Sequence, residues 1–147
     1  MTQPCTRFTA RVPPWLANAT ITAYALLLGT ASLWPVSADS AIAATPARRT
    51  FNNLLHFPAY SLLYLLLALA LTRSAKVGHT PAWTLAGSVG FGALMEVLQW
   101  ALVPGRGASW TDMALNTAGA AAGGAIWLAL SRIAADKTHT TSTEGQA

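Results

Sequence analysis

Charge is what this sequence has least of. Lys, Arg, Asp and Glu make up 10% of its 147 residues, against roughly 25% in a soluble domain. That is too little polar material to coat a water-facing surface, so the chain is expected to be an integral membrane protein. Cysteine occurs once, as Cys5, which excludes an intramolecular disulfide and any cysteine-based metal cluster. No strand pattern competes with helices, which satisfy their own backbone groups in lipid. The basic excess, +4 with a pI near 9.9, does not point to nucleic acid. The basic residues sit at the ends of apolar runs, where membrane topology and contact with anionic lipid explain them.

What the chain does have is apolar length. Its residues are 53% hydrophobic and its mean hydropathy is +0.41. A membrane span needs about 20 mostly apolar residues, and four such stretches are present: Trp15–Val36, Leu54–Thr72, Ala82–Val103 and Met113–Ile133. The expected fold class is therefore all-α, an integral membrane bundle of four transmembrane helices. Residues 1–14 form an N-terminal segment, residues 15–133 the bundle, and residues 134–147 a Thr- and Ser-rich tail of disordered composition. Trp15, Trp34, Trp83, Trp100, Trp110 and Trp127 all fall near span ends, as an interfacial aromatic belt requires.

Orientation follows from the basic residues. Six of them (Arg7, Arg11, Arg73, Lys76, Arg132, Lys137) share one side, and three (Arg48, Arg49, Arg106) share the other. The positive-inside rule then places both termini in the cytoplasm of a multi-pass plasma (inner) membrane protein. The first span has a rival reading as a cleaved signal, with Arg7 and Arg11 before it and Ala41-Ile42-Ala43 after it. Its apolar stretch exceeds the ~7–15 residues usual for such a signal core.

Against this apolar background, polar side chains gather between Gly92 and Gly124. Ionisable groups at membrane depth are costly and mark functional sites. Glu96 and Gln99 lie three apart near the end of span three. Arg106 lies in the Pro104–Gly107 loop, and Asp112 and Asn116 lie four apart at the start of span four. At ~1.5 Å per residue the hairpin is expected to stack two layers, Gln99 with Asp112 and Glu96 with Asn116. Gly119 and Gly123 continue the Asn116 stripe as a small-xxx-small pattern that permits close helix contact. His56, followed at helical spacing by Tyr60 and Tyr64, opens span two on the same side, and Pro58 suggests that it stands at the helix start. Two helix N-termini and arginine at this end favour an anionic ligand group, a phosphate or a carboxylate.

Each of these residues also has a plainer role. Glu96 can pair with Arg106 to fix the hairpin. Ser109-Trp110-Thr111-Asp112 reads as a capping box. Gln99 and Asn116 can be interhelical hydrogen-bond partners. Arg106 can be solvated, and His56, Tyr60 and Tyr64 can be packing residues. A metal site is not expected, because His79 and His139 fall on the opposite side from His56, and no cofactor is implied.

His56-Phe57-x-x-Tyr60, Glu96-x-x-Gln99, Arg106 and Asp112-x-x-x-Asn116-x-x-Gly119 resemble, in order and spacing, the VanZ-like family of small bacterial membrane proteins. The resemblance runs from about Asn52 to Gly124. It implies a multi-pass plasma-membrane protein of the cell envelope, in a family named for a member linked to teicoplanin resistance, with no established biochemical activity. One departure stands out. The family often has an Asp-Lys pair before the histidine, where this chain has Asn52 and Asn53.

The expected ligand-binding set is His56, Tyr60, Glu96, Gln99, Arg106, Asp112 and Asn116, and the expected partners are membrane lipids, among them an anionic lipid or a cell-wall precursor. Two alternatives stay open. One is a membrane enzyme acting on a lipid-linked phosphate, with Glu96 or His56 as general acid/base. The other is a transport or structural subunit working as a homo-oligomer through the Gly119–Gly124 face.

Overall fold

A computed structural model describes residues 12–34, 46–73, 81–104 and 107–144; of 46–53 and 135–144 it describes the backbone alone. Four helices follow in order: α1 (Pro14–Leu33), α2 (Pro46–Arg73), α3 (Pro81–Leu102) and α4 (Trp110–Glu144). All four carry a stretch long and apolar enough to cross a membrane, matching the spans expected from the sequence to within a few residues. Proline opens α1, α2 and α3, where its missing N–H is one of the donors a helix start leaves unpaired anyway. α4 opens instead on a serine cap, described below.

Two boundaries differ from expectation. α2 begins at Pro46, so His56 is not at a helix start but inside the helix, two residues before the internal Pro58. The positive end of α2 accordingly lies about 15 Å beyond His56. α4 continues to Glu144, so the Thr- and Ser-rich tail is helical rather than irregular over most of its length.

α2 and α3 each touch every other helix, while α1 and α4 lie apart on opposite sides of that pair. The tightest contact is α2 against α4, made possible by glycine. A Cβ on Gly119 would collide with the Phe57 carbonyl, and one on Gly123 would come within 2.5 Å of the Ser61 carbonyl oxygen. Ser61 Oγ donates to the Gly119 carbonyl across the same seam at 2.8 Å. The small-residue stripe thus meets α2 of its own chain, not α3. It is already occupied and is no free face for a second copy.

Below the glycines the core consists of Tyr64, Ala68, Ala120 and Trp127. Trp127 is therefore not a belt residue. It is 6% exposed, whereas Trp15, Trp34, Trp83, Trp100 and Trp110 are each about two-thirds exposed or more. Elsewhere the burial pattern is inverted relative to a soluble bundle. α3 buries Thr84, Ser88, Gly92, Glu96 and Gln99 and turns Leu85, Leu94, Val97 and Leu102 outward. Lipid tails are as apolar as leucine, so polar and small residues give more by facing other helices. α1 packs most lightly, with Ala17 its sole buried residue. It is tied to α2 by Tyr24, whose hydroxyl donates to the Ala59 carbonyl at 3.0 Å.

Candidate functional site

The end of α1, the His56 turn of α2, the end of α3 and the start of α4 meet at one end of the bundle. Four of the polar residues singled out in the sequence are buried there, Glu96 and Asp112 at 6% exposed and Gln99 and Asn116 at 1%, and His56 is half-buried. Their partners are not those that stacked layers would give.

Asn116 pairs with His56, whose Nδ1 is 2.8 Å from Asn116 Oδ1. An amide oxygen accepts, so Nδ1 is the donor of this pair. The His56 ring stacks on Tyr60 with centroids 6.3 Å apart and planes 11° from parallel. Tyr60 in turn packs against Phe91 of α3 at 6.4 Å. Gly92 leaves the room for this junction, since a Cβ there would sit 3.1 Å from both Asn116 Nδ2 and the Tyr60 ring. His56, Tyr60 and Asn116 therefore form one unit. Tyr64, one turn on, belongs to the core instead.

Glu96 reaches the connection between α3 and α4, where its Oε2 accepts the Ser109 backbone N–H at 2.8 Å. Ser109 Oγ in turn accepts the Asp112 N–H at 3.2 Å. The expected capping box is thus half formed. Ser109 caps α4, but the reciprocal acceptor for its own N–H comes from Glu96 on the neighbouring helix, not from Asp112. Gln99 turns away from both, donating from Nε2 to the Ser32 carbonyl of α1 at 3.1 Å. The two layers expected from spacing alone are replaced by three separate links: α2 to α4, α3 to the α4 cap, and α3 to α1. Ser32 and Phe91 were missed as participants because nothing in a serine or phenylalanine near a span end marks it out before the helices are placed; Ser109 was expected as a cap, but not as the partner of Glu96.

Three buried polar atoms here have no hydrogen-bond partner: Gln99 Oε1, Asp112 Oδ1 and Asn116 Nδ2. Each unmade bond costs on the order of 1–3 kcal/mol. Among the described residues no ion pair involves Glu96 or Asp112. Arg106 lies outside the described residues, and Arg48 and Arg49 are described only as backbone in the first turn of α2. Two concavities adjoin the cluster. An apolar groove of about 710 Å³ runs between α1 and α3, with Gly29, Leu33, Phe91 and Met95 among its walls. A cavity of about 180 Å³ lies between α3 and the start of α4, walled by Ala93, Glu96, Ala108, Ser109, Trp110 and Met113.

No curated protein and no solved structure matches this chain. A family model described as VanZ/LLP1 matches residues 7–131, a range that holds all four spans except the last turn of α4's apolar stretch, and every polar residue of the cluster. With four membrane-length helices and this family match over most of its length, the chain is a membrane protein belonging to the VanZ/LLP1 family.

Proposed function

We propose that the polar end of the bundle binds the phosphate- or carboxylate-bearing headgroup of an envelope lipid or lipid-linked cell-wall precursor. One observation carries this reading: three buried polar atoms at this end of the bundle, Gln99 Oε1, Asp112 Oδ1 and Asn116 Nδ2, have no hydrogen-bond partner. Polar groups at membrane depth need partners, and a headgroup offers both donors and acceptors. The apolar groove between α1 and α3 offers a path for an acyl chain beside that headgroup. Arg106, three residues before Ser109, supplies the charge for an anion. The distribution of Lys and Arg puts this end on the outer face of the inner membrane, with both termini cytoplasmic. Holding an envelope precursor there would alter how glycopeptides reach it.

The test is the set of phosphate-bearing lipids that co-purify with the protein, compared between wild type and Arg106→Ala. The proposal expects a severalfold loss of such lipids in the variant, and equal retention would refute it. The geometry lends no support to an acyl- or phosphoryl-transfer enzyme built on Ser109. Glu96 is bonded to the Ser109 backbone, not its hydroxyl, so no nucleophile–base pair forms there.

A further inference from the structure

The helices of this bundle are held in different ways. α2 and α4 interlock through backbone, with Gly119 and Gly123 set against the Phe57 and Ser61 carbonyls. α1 buries Ala17 alone and is fastened by side-chain bonds to backbone oxygens. Just before its start, the Val12 carbonyl accepts from Arg73 Nε at 2.7 Å. Halfway along, Tyr24 Oη donates to the Ala59 carbonyl of α2 at 3.0 Å. In its last turn, the Ser32 carbonyl accepts from Gln99 Nε2 at 3.1 Å, which ties α1 to α3.

The half of α1 after Tyr24, residues 25–33, runs for about 14 Å. Ala25, Gly29 and Leu33 on it line the apolar groove, with Phe91 and Met95 of α3. The approach here is loose. A Cβ on Gly29 would meet Met95 Sδ at 3.8 Å, an ordinary contact, where one on Gly119 would collide. Lipid tails are as apolar as leucine, so replacing these contacts by lipid costs α1 little. A specific hold on this half comes from the Gln99 bond. That bond is one that exchanges. The final carbonyls of a helix lack helical donors, and Ser32 stands about 3 Å along the axis from the exposed Trp34 of the interfacial belt, where water can replace Gln99. Gln99 itself is buried, and its Oε1 has no partner. Beneath α1, Phe91 packs against Tyr60, which stacks on His56.

We infer that the outer half of α1 is a lateral gate: residues 25–33 swing away from α3 about the Tyr24 tie, with Gln99 as the latch. Closed, this half covers Phe91 and Met95. Open, it presents them to the bilayer and frees the Gln99 amide, which offers both donors and an acceptor to a group entering from the membrane. The inner half stays in place, held at Val12 and at Tyr24. The motion goes beyond the headgroup-binding reading; that the entering group is a headgroup rests on it.

The experiment uses the full chain in lipid nanodiscs, with Cys5→Ser as background, and reads distances between paired spin labels by double electron–electron resonance. Leu27→Cys with Val97→Cys reports on the outer half of α1, and Ala19→Cys with Leu85→Cys on the inner half; all four positions are exposed. The inner pair should give one narrow distance and the outer pair two, a shorter and a longer. Gln99→Leu keeps the bulk of the side chain without its donor. It should raise the longer-to-shorter ratio of the outer pair about threefold, the factor set by an average membrane hydrogen bond, and leave the inner pair unchanged. A single narrow distance for the outer pair before any change at Gln99 overturns the gate, whatever that variant does. Two distances that Gln99→Leu leaves in the same ratio overturn the latch and with it the inference. Equal broadening of both pairs does so too, because α1 would then be loose along its whole length and not hinged at Tyr24. The gate and the headgroup reading fail separately: a mobile outer half in a protein that retains no phosphate-bearing lipid leaves the gate standing, and retained lipid with an immobile outer half removes the gate alone.

Discussion

Replacing Gly119 by alanine adds one methyl group at the closest approach of two helices. The added Cβ would meet the Phe57 carbonyl group, with its carbon at 3.0 Å and the Phe57 Cα at 3.1 Å. These are backbone atoms inside α2, so no side chain can swing aside, and α4 must move off α2 as a body. Overpacking of this kind costs roughly 1–3 kcal/mol. The rigid obstacle puts Gly119→Ala toward the upper part of that range. The shift also strains the Ser61–Gly119 hydrogen bond at 2.8 Å, worth about 0.6 kcal/mol in a membrane protein. Alanine returns about 0.5–1 kcal/mol of helix preference, leaving a net loss of about 2 kcal/mol. Gly90→Ala is the matched control. Its Cβ meets nothing within 4 Å, so only the helix preference remains and the change should be neutral to stabilising. Reversible unfolding of the two variants in mixed micelles should separate them by 2–3 kcal/mol, some 30–150-fold in the folding equilibrium. Asn116 sits one turn before Gly119 on the same seam, so the His56–Asn116 bond should loosen in Gly119→Ala as well. If Gly119→Ala proves as stable as Gly90→Ala, the close packing of α2 on α4 is wrong, and with it the placement of His56 beside Asn116.

Three further expectations concern other parts of the bundle. Trp127→Ala should cost about 2–3 kcal/mol and Trp110→Ala under 0.5 kcal/mol, because a buried ring leaves a cavity and an exposed one does not. The Trp127 figure falls below the ~3–5 kcal/mol of a soluble core since lipid tails remove much of the transfer penalty; similar losses for the two would return Trp127 to the interfacial belt. Ser109→Ala should destabilise the start of α4 by about 1 kcal/mol, seen as faster amide exchange confined to Trp110–Met113, and unchanged exchange there would dismiss the cap. Asn116→Leu should shift the His56 ring nitrogen resonances by removing the Nδ1 partner, with Tyr60→Phe as a control that leaves that bond in place; identical nitrogen spectra in Asn116→Leu and wild type would rule the pair out.

Much of this molecule is legible in its sequence. Span number and limits follow from apolar length alone, because a bilayer of fixed thickness demands about 20 apolar residues whatever the helices pack against. The burial of Glu96, Gln99, Asp112 and Asn116 was legible too, since such groups rarely face lipid. Ser109 as a helix cap needed only local spacing.

Pairing was not legible. A helical repeat says which residues share a face but not which helix that face meets. Spacing on the α3–α4 hairpin suggested that Asn116 would face Glu96. Instead Gly119 and Gly123 draw α4 onto α2 and turn Asn116 toward His56. Trp127 and Trp110 look alike at a span end, and only the α2–α4 contact buries one of them. The sequence by itself determined that this chain is a four-span membrane protein with its polar residues gathered at one end, because hydrophobic length and the cost of buried charge are local properties. Tertiary structure alone decided that Glu96 completes the cap of a neighbouring helix and which polar atoms are left without partners, because those outcomes depend on how helices distant in sequence come together.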